Sequence, residues 1–304
     1  MDHQKTNDIL KKVRQIEIRT RQLVSDSMAG SYHSVFKGSG MNFDEVREYV
    51  AGDEIRTIDW NVTARTGTPH VKKFVEEREL TIMLLIDISG SGDFGSAEIS
   101  KRELMAELGS VLAFSAVRNN DKVGLILFSD FIELYIPPNK GRSHILRVIR
   151  EILYYQPRGR QTNLFVPLDF VTKVNKRKAV TFLISDYCLS GNYEQQLSEL
   201  KTKLTICKRH HDLISMVVAD PHEEQLPDCG RLTIEDAETG RQVELNTSNP
   251  RVRQRWNEAA TDRRQKLHRA LAAAGVDRLD IYTHQSYIGP LLSFFRARKR
   301  RLAR

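Results

Sequence analysis

The chain has 304 residues, of which 40% are hydrophobic and 28% are charged, and its formal net charge is +8. This composition is typical of one large or two ordinary globular domains, and it excludes a disordered or collagen-like chain. The apolar runs are far shorter than the roughly 20 residues that cross a bilayer, so we expect no transmembrane segment. The amino terminus carries charges where a secretory signal has an apolar stretch, so we expect a cytoplasmic protein.

The positive charge is concentrated towards the carboxyl end of the chain. Six of the last nine residues, 296–304, are Lys or Arg, and without them the net charge falls to +2. The stretch from Arg251 to Arg269 is also basic, which leaves the rest of the chain slightly acidic. A run of like charge that no stacking aromatic residues follow is usually solvated. We therefore expect no specific nucleic-acid binding, and only weak attraction of the basic tail to anionic surfaces.

The pattern of elements divides the chain into three parts. Residues 1–78 begin with an amphipathic helical pattern over 8–25, and we expect them to form an α/β extension docked on the core. Residues 79–222 alternate apolar strands with helices, which predicts an α/β core with a doubly wound, mostly parallel sheet. Residues 223–304 are expected to complete the same domain with a hairpin, a long helix, a last strand and a basic helix.

Predicted strands and helices alternate along the core and the segment that follows it. From the apolar runs, strands are predicted at 81–87, 122–129, 131–137, 179–185, 213–219 and 278–283. Helices are predicted at 100–118, 143–155, 164–174, 193–209, 250–274 and 288–301. Strand 131–137 is expected to be antiparallel, because the short link at Asp130 cannot make a parallel crossover. Ser143 is expected to cap its helix, and residues 231–246 carry the signal of a hairpin.

Polar side chains follow two of the predicted strands. Asp87, Ser89 and Ser91 come at the end of the first parallel strand, and Asp186 comes directly after strand 179–185. Thr162 lies in a turn just before a helix. Because the carboxyl ends of the strands form the ligand site of an open α/β sheet, we expect these oxygens to converge there. Hard oxygen ligands of this kind suit Mg²⁺ or Mn²⁺.

This pattern resembles the metal-ion-dependent adhesion site of von Willebrand factor A domains. The resemblance implies a bound Mg²⁺, for which Mn²⁺ is the alternative, with Ser89, Ser91 and, in one state, Thr162 as direct ligands. It also implies that Asp87 and Asp186 act largely through water. The remaining position would accept a carboxylate from a partner protein, so the resemblance implies an interaction module and not an enzyme.

A longer match extends over nearly the whole chain. The residues that carry it are Phe43, Arg47, Tyr49, Gly52, Asp53, Arg56, Ile58, Asp59, Trp60, Ala64, Arg65, Val71, Asp236, Glu238, Thr239, Gly240, Pro290 and Leu291. They resemble the signature of the "domain of unknown function 58" family, whose members contain a von Willebrand A-like domain. Genes of that family commonly lie beside those for MoxR-type AAA+ ATPases, which implies such an ATPase and an unidentified client protein as partners. One departure is Gly92, where the family often has Met, but this change removes no metal oxygen.

A nucleotide-binding α/β enzyme is the alternative function. The loop Gly90–Gly95 fits G-x-G-x-x-G after a strand, which is the dinucleotide fingerprint. However, the acidic residue expected about 20 residues later is missing, and Asp87 and Asp93 would place negative charge beside a pyrophosphate. The chain has no zincin, nucleophile-elbow or Walker A motif and no C-x-x-C pair, so no catalytic residue is predicted.

Two structural alternatives stay open at this point. Asp87 and Asp186 could simply cap helices while the serines satisfy loop backbone, or the protein could be a scaffold whose site holds no metal in the cell. The charged residues near the amino terminus, Asp53, Arg56, Asp59 and Arg65, allow two interpretations as well. They form either a binding surface for the ATPase or, as we favour, an ion-paired network that docks the amino-terminal segment on the sheet, with Trp60 as its apolar anchor.

Overall fold

The computed structural model describes residues 40–77, 79–189 and 191–302, which belong to two compact units. The smaller unit lies within Phe36–Leu80, and the larger one contains the described part of Thr81–Arg304. The helix predicted over 8–25 falls outside the described residues. The docking of residues 1–78 on the core stays a prediction.

The smaller unit is an antiparallel strand pair with a short helix in its connection. Its elements are β1 (Gly40–Glu48), α1 (Trp60–Thr66) and β2 (His70–Glu77). Strand β1 pairs with β2. Helix α1 begins after Asp59, whose carboxylate accepts hydrogen bonds from the backbone N–H groups of Asn61 and Val62. It ends at Gly67, which adopts a φ of +76° that a side chain would disfavour.

The charged residues of this unit pair differently from the sequence prediction. Asp53 accepts two hydrogen bonds from Arg47, the shorter at 2.6 Å, and Asp59 lies 3.3 Å from Lys72. The aspartates therefore pair with Arg47 and Lys72 rather than with Arg56 or Arg65. Trp60 is 67% exposed, and its role as the apolar anchor of the docked segment stays a prediction. It lies at the first position of α1, where the cap at Asp59 holds the helix without help from packing of the indole.

The larger unit contains the predicted alternation of strands and helices. Its strands are β3 (Thr81–Asp87), β4 (Lys122–Phe128), β5 (Ile132–Asn139), β6 (Val180–Ser185), β7 (Asp212–Ala219), β8 (Arg231–Glu235), β9 (Gln242–Asn246) and β10 (Asp277–Tyr282). Its helices are α2 (Lys101–Arg118), α3 (Arg142–Tyr154), α4 (Phe165–Val174), α5 (Tyr193–His210), α6 (Pro221–Glu224), α7 (Pro250–Ala273) and α8 (Ile288–Leu302). Except for the short helix α6, which was not predicted, these bounds lie within one or two residues of the predicted ones.

The central sheet of this unit has the order β10-β7-β6-β3-β4-β5. All neighbours are parallel except β4 and β5, and β5 is the antiparallel edge strand that the short link predicted. If the strands are renumbered from 1 starting at β3, this is the order 3-2-1-4-5-6 of a doubly wound sheet. The strand order reverses between β3 and β6. The predicted fold class, an α/β fold with a doubly wound, mostly parallel sheet, is confirmed. Strands β8 and β9 form a separate hairpin.

The core of the unit lies on both faces of this sheet. Strands β3, β4 and β6 are buried along nearly their whole length, as expected where helices cover both faces. Helix α2 is capped by Ser100 and Glu103, which hydrogen-bond to each other's backbone N–H groups. This cap fixes where α2 begins, and so it fixes the loop between β3 and α2 on which the candidate site lies.

Two details differ from the sequence predictions. Helix α3 begins directly after Gly141, which has a φ of +95°, so Ser143 lies inside the first turn and the prediction that it caps the helix was wrong. The basic tail is also not wholly solvated, because Arg298 is buried and donates hydrogen bonds to Asp212 and Asp277. Within the described ranges, every helix is either too short or too polar to cross a membrane.

Candidate metal centre

The candidate site begins where β3 and β6 end side by side. These strands are parallel neighbours, with Ile86 opposite Ile184, so Asp87 and Ser185 come next to each other. This is the point where the strand order of the sheet reverses. Ser185 donates a hydrogen bond from its hydroxyl to Asp87 Oδ2 at 2.6 Å. An open α/β sheet binds ligands at this position.

The loop after β3 supplies two hydroxyl groups. The backbone N–H of Ser89 donates to Asp87 Oδ1 at 2.9 Å, which holds the loop against the end of its own strand. A 3₁₀ turn over Gly90–Asp93 then brings Ser91 back beside Ser89, with their Oγ atoms 3.1 Å apart. Asp87, Ser89 and Ser91 are all buried.

Thr162 reaches the same point from the loop before α4. Its Oγ1 lies 2.8 Å from Ser89 Oγ, although the two residues are separated by 73 positions in the chain. The two loops are joined by a backbone hydrogen bond, in which Gly90 N–H donates to the carbonyl of Arg160 at 2.9 Å. Thr162 is buried as well.

Asp186 completes the set that the sequence predicted. Its side chain accepts a hydrogen bond from Ser91, and its Oδ1 accepts one from the backbone N–H of Cys188 at 3.1 Å. Asp87, Ser89, Ser91, Thr162 and Asp186 are therefore all brought together in one hydrogen-bonded cluster.

A buried ammonium group lies at the same cluster, and the sequence did not predict it. Lys101 is the first residue of α2 and is 1% exposed, and its Nζ lies 2.7 Å from Asp186 Oδ2 and 2.5 Å from Glu223 Oε1. Burial opposes a charged ammonium, but the carboxylates of Asp186 and Glu223 outweigh it and raise the pKa of Lys101. Lys101 therefore stays positively charged.

A second unpredicted carboxylate comes from the β8–β9 hairpin. Glu238 lies in the turn between the two strands, and its Oε1 is 2.6 Å from Thr162 Oγ1. Glu223, from the short helix α6, is held by its contact with Lys101 and by the backbone N–H of Asp220. The cluster thus receives side chains from segments that lie more than 100 residues apart.

Asp220 shows that an aspartate after a strand need not belong to the site. It follows β7, is fully buried, and accepts hydrogen bonds from Ser96 and Thr283. Although burial opposes its charge, the hydrogen bonds from these groups lower the pKa of Asp220. Asp220 therefore ties two loops together and does not join the hydroxyl cluster.

The cluster has more negative than positive groups. Four carboxyl groups, those of Asp87, Asp186, Glu223 and Glu238, lie in it with the single ammonium of Lys101. Burial and the neighbouring Asp186 raise the pKa of Asp87 to about 7, because a second buried negative charge is costly. A cation placed here would favour the charged form of Asp87.

The donor set fits a small divalent cation. Neighbouring ligands of an octahedral Mg²⁺, each about 2.0–2.1 Å from the ion, lie roughly 2.8–3.0 Å apart. The spacings from Ser89 Oγ to Thr162 Oγ1, 2.8 Å, and to Ser91 Oγ, 3.1 Å, are close to this value. In the part of the chain that the structure describes, no group of three or more His, Cys, Asp and Glu is placed to hold a metal ion. A cation here would therefore depend on hydroxyl oxygens.

The sequence offered little to identify the residues that it missed. Lys101 follows the helix cap at Ser100 and looks like any other lysine on a helix. Glu223 lies in a helix of four residues that the sequence pattern did not predict. Glu238 did belong to the Asp-x-Glu-Thr-Gly signature, and a carboxylate at a hairpin turn was the signal that could have suggested a role.

The geometry of the glycine loop does not favour nucleotide binding. The helix N-terminus that would receive a pyrophosphate is already capped by Ser100 and Glu103. A Cβ on Gly90 would lie 2.8 Å from the carbonyl oxygen of Ala237, and one on Gly95 would lie 2.6 Å from the Cα of Ser100. These glycines allow the protein's own backbone to approach.

Comparisons with known proteins identify the family. "Uncharacterized protein Rv1480" of Mycobacterium tuberculosis is 28% identical over 290 residues, which are 95% of this chain and 89% of that protein. Among solved structures, BatB from Bacteroides thetaiotaomicron aligns with a TM-score of 0.43 at 15% identity, covering 74% of this chain and 97% of BatB. The Rpn10 VWA domain aligns with a TM-score of 0.39 at 13% identity, covering 70% of this chain and 94% of that domain. The family "Protein of unknown function DUF58" matches residues 45–266, and the chain therefore belongs to this family.

Proposed function

We propose that this protein is a non-enzymatic interaction module that binds an acidic side chain of a partner protein through Mg²⁺, with Mn²⁺ as a substitute. The observation that supports this proposal most strongly is the cluster of buried oxygen donors at the point where the strand order of the sheet reverses. Its hydroxyl oxygens have the spacing of neighbouring Mg²⁺ ligands, and its carboxylates outnumber its one ammonium. When bound, Mg²⁺ supplies the positive charge that a partner carboxylate recognises.

Each of the five predicted residues of the cluster has its own role in this proposal. Ser89, Ser91 and Thr162 present the hydroxyl oxygens that hold the cation directly. Asp87 holds the Ser89 backbone and is itself oriented by the hydroxyl of Ser185. Both oxygens of Asp186 already accept hydrogen bonds, one from Lys101 and one from the Cys188 backbone, so this carboxylate acts from outside the ligand shell.

The partner that we propose is a MoxR-type AAA+ ATPase, for which this chain would serve as an adaptor towards a client protein. The resemblance of the signature residues to those of the family supports this partner. We place this activity in the cytoplasm, where thiols stay reduced. The three cysteines of the chain, Cys188, Cys207 and Cys229, are all unpaired, which is consistent with that compartment.

Calorimetric titration with Mg²⁺ and with Mn²⁺ tests the metal site. The wild-type protein is expected to bind one ion, and Asp87→Ala is expected to weaken binding by on the order of 100-fold, because it removes a charge and releases the Ser89 loop. Asp130→Asn is the matched control, since Asp130 follows β4 at the same edge of the sheet but is exposed. Equal binding by wild type and Asp87→Ala, or no binding by either, would refute the metal site.

Co-purification with the ATPase tests the partner. Binding is expected to require Mg²⁺, to be lost in EDTA and to be restored when Mg²⁺ is added back. Asp130→Asn should behave as the wild type does, and Asp87→Ala should fail to bind the ATPase. A complex that is indifferent to chelator would show that the metal centre is not the contact.

A further inference from the structure

The candidate metal centre already has a carboxylate from its own chain beside its hydroxyl groups. Glu238 lies in the turn of the β8–β9 hairpin, and its Oε1 is 2.6 Å from Thr162 Oγ1. Thr162 is in turn 2.8 Å from Ser89. A carboxylate oxygen is thus placed next to the hydroxyl oxygens that are proposed to hold the cation.

The hairpin turn is built to present this side chain. Asp236 Oδ1 accepts hydrogen bonds from the backbone N–H groups of Glu238 and Thr239, at 2.9 and 3.2 Å. Gly240 closes the turn with a φ of +70° and donates its N–H to the Asp236 carbonyl at 2.7 Å. These bonds fix the backbone at Glu238 and thereby direct its side chain towards Thr162.

A second contact holds the hairpin over the loop after β3. A Cβ on Gly90 would lie only 2.8 Å from the carbonyl oxygen of Ala237, so this approach is possible only because Gly90 has no side chain. The turn therefore touches two of the loops that form the cluster, one through Thr162 and the other through Gly90.

Of the segments that form the cluster, the β8–β9 hairpin can move away with the smallest loss of buried contacts. Strands β8 and β9 pair only with each other within the described residues, and most of their side chains are exposed or half-buried. By contrast, Asp87 is the last residue of the buried strand β3, and Asp186 directly follows the buried strand β6. Withdrawal of Glu238 would leave the core of the unit unchanged.

We propose that Glu238 is an internal carboxylate ligand of the metal centre and that an acidic side chain of a partner has to displace it. This inference rests on the proposed function, because it assumes that a cation binds at the cluster. Since Glu238 is part of the same chain, its effective concentration at the site is on the order of millimolar or higher. A partner that binds only by one carboxylate would be outcompeted, and one that also engages the hairpin would succeed.

Water-proton relaxation of the Mn²⁺-loaded protein tests this inference, because it reports the number of water molecules on the ion. In Glu238→Ala, one additional water is expected on Mn²⁺, so the relaxivity rises and the affinity for Mn²⁺ falls several-fold. Acetate serves as the carboxylate probe. At millimolar concentration it should lower the relaxivity of Glu238→Ala and leave that of the wild type unchanged.

The matched control is Glu244→Ala. Glu244 lies on β9 of the same hairpin, where it is exposed and 3.8 Å from Arg231, so its loss removes the same charge away from the turn. It should behave as the wild type does in all three measurements. Far-ultraviolet circular dichroism of both variants checks that the fold is retained.

The two proposals fail in different ways. If Mn²⁺ binds neither the wild type nor Asp87→Ala, or binds both equally, the proposed function and this inference are both overturned. If Mn²⁺ binding depends on Asp87 but Glu238→Ala matches the wild type in affinity, relaxivity and response to acetate, only the internal ligand is overturned.

Discussion

The two ends of the central sheet each hold a buried cation between carboxylates, but the balance of charge differs. At the carboxyl ends of the strands, Lys101 lies between Asp186 and Glu223. At the amino ends, Arg298 of α8 is 6% exposed and lies between Asp212 and Asp277, the first residues of β7 and β10. The same device therefore occurs twice in one sheet.

The difference lies in what surrounds each cation. At the amino ends, Arg301 also contacts Asp277, so two arginines meet two aspartates and the charges balance. At the carboxyl ends, Asp87 and Glu238 add two further carboxyl groups, and hydroxyl groups lie between them. The balanced charges at the amino ends need no further ion. The excess of carboxyl groups around hydroxyl groups at the carboxyl ends would favour binding of a further cation. The following predictions test this distinction, in order of expected effect.

Replacing Lys101 should have the largest effect. Lys101→Met leaves Asp186 buried without its counter-charge, which should lower the free energy of unfolding of the metal-free protein by about 3–5 kcal/mol. Saturating Mg²⁺ should stabilise Lys101→Met more than it stabilises wild type, because the bound ion replaces part of the missing positive charge in the folded state. Urea denaturation with and without Mg²⁺ measures both effects. An absence of any Mg²⁺ effect would contradict the view that this end of the sheet lacks positive charge.

Replacing Arg298 should have a somewhat smaller effect that Mg²⁺ does not change. Arg298→Met should cost about 2–4 kcal/mol of unfolding free energy, less than a fully buried pair, because Asp212 and Asp277 retain some contact with solvent. The matched control is Arg300→Ala on the exposed side of α8, which should stay within about 0.5 kcal/mol of wild type. Stabilisation by Mg²⁺ that is greater for Arg298→Met than for wild type would show that the two ends of the sheet are not distinct.

Loosening the hairpin turn should have the smallest effect. Asp236→Ala removes the acceptor that holds the backbone of Glu238 and Thr239 but keeps the Glu238 carboxylate. Its response to acetate should lie between those of wild type and Glu238→Ala, since a lost turn hydrogen bond is worth about 1 kcal/mol and shifts the competition several-fold. Relaxivity titrations of the three proteins give the comparison, and a response of Asp236→Ala identical to wild type would argue that the turn does not position the carboxylate.

Most of the fold could be predicted from the sequence, because its signals are local. The strand Thr81–Asp87 was visible as an apolar run that only a sheet covered on both faces can bury, and the apolar spacing over 100–118 predicted α2. The exceptions have local causes too. Ser143 was a plausible cap, but Gly141, with its positive φ, starts the helix instead. Helix α6 has only four residues, too few to show a helical period in the sequence.

The candidate site also has one part that local sequence signals predict and one part that depends on tertiary packing. By itself, the sequence determined the five oxygen donors, because parallel strands bring their carboxyl ends to one edge of the sheet and Asp87 and Asp186 stand directly at two of those ends. Only the tertiary structure decided the charge around them. Lys101 meets Glu223 across 122 positions of the chain, and Glu238 meets Thr162 across 76. Such contacts depend on how helices and a hairpin pack after the strands are in place, and no periodicity in the sequence records that packing.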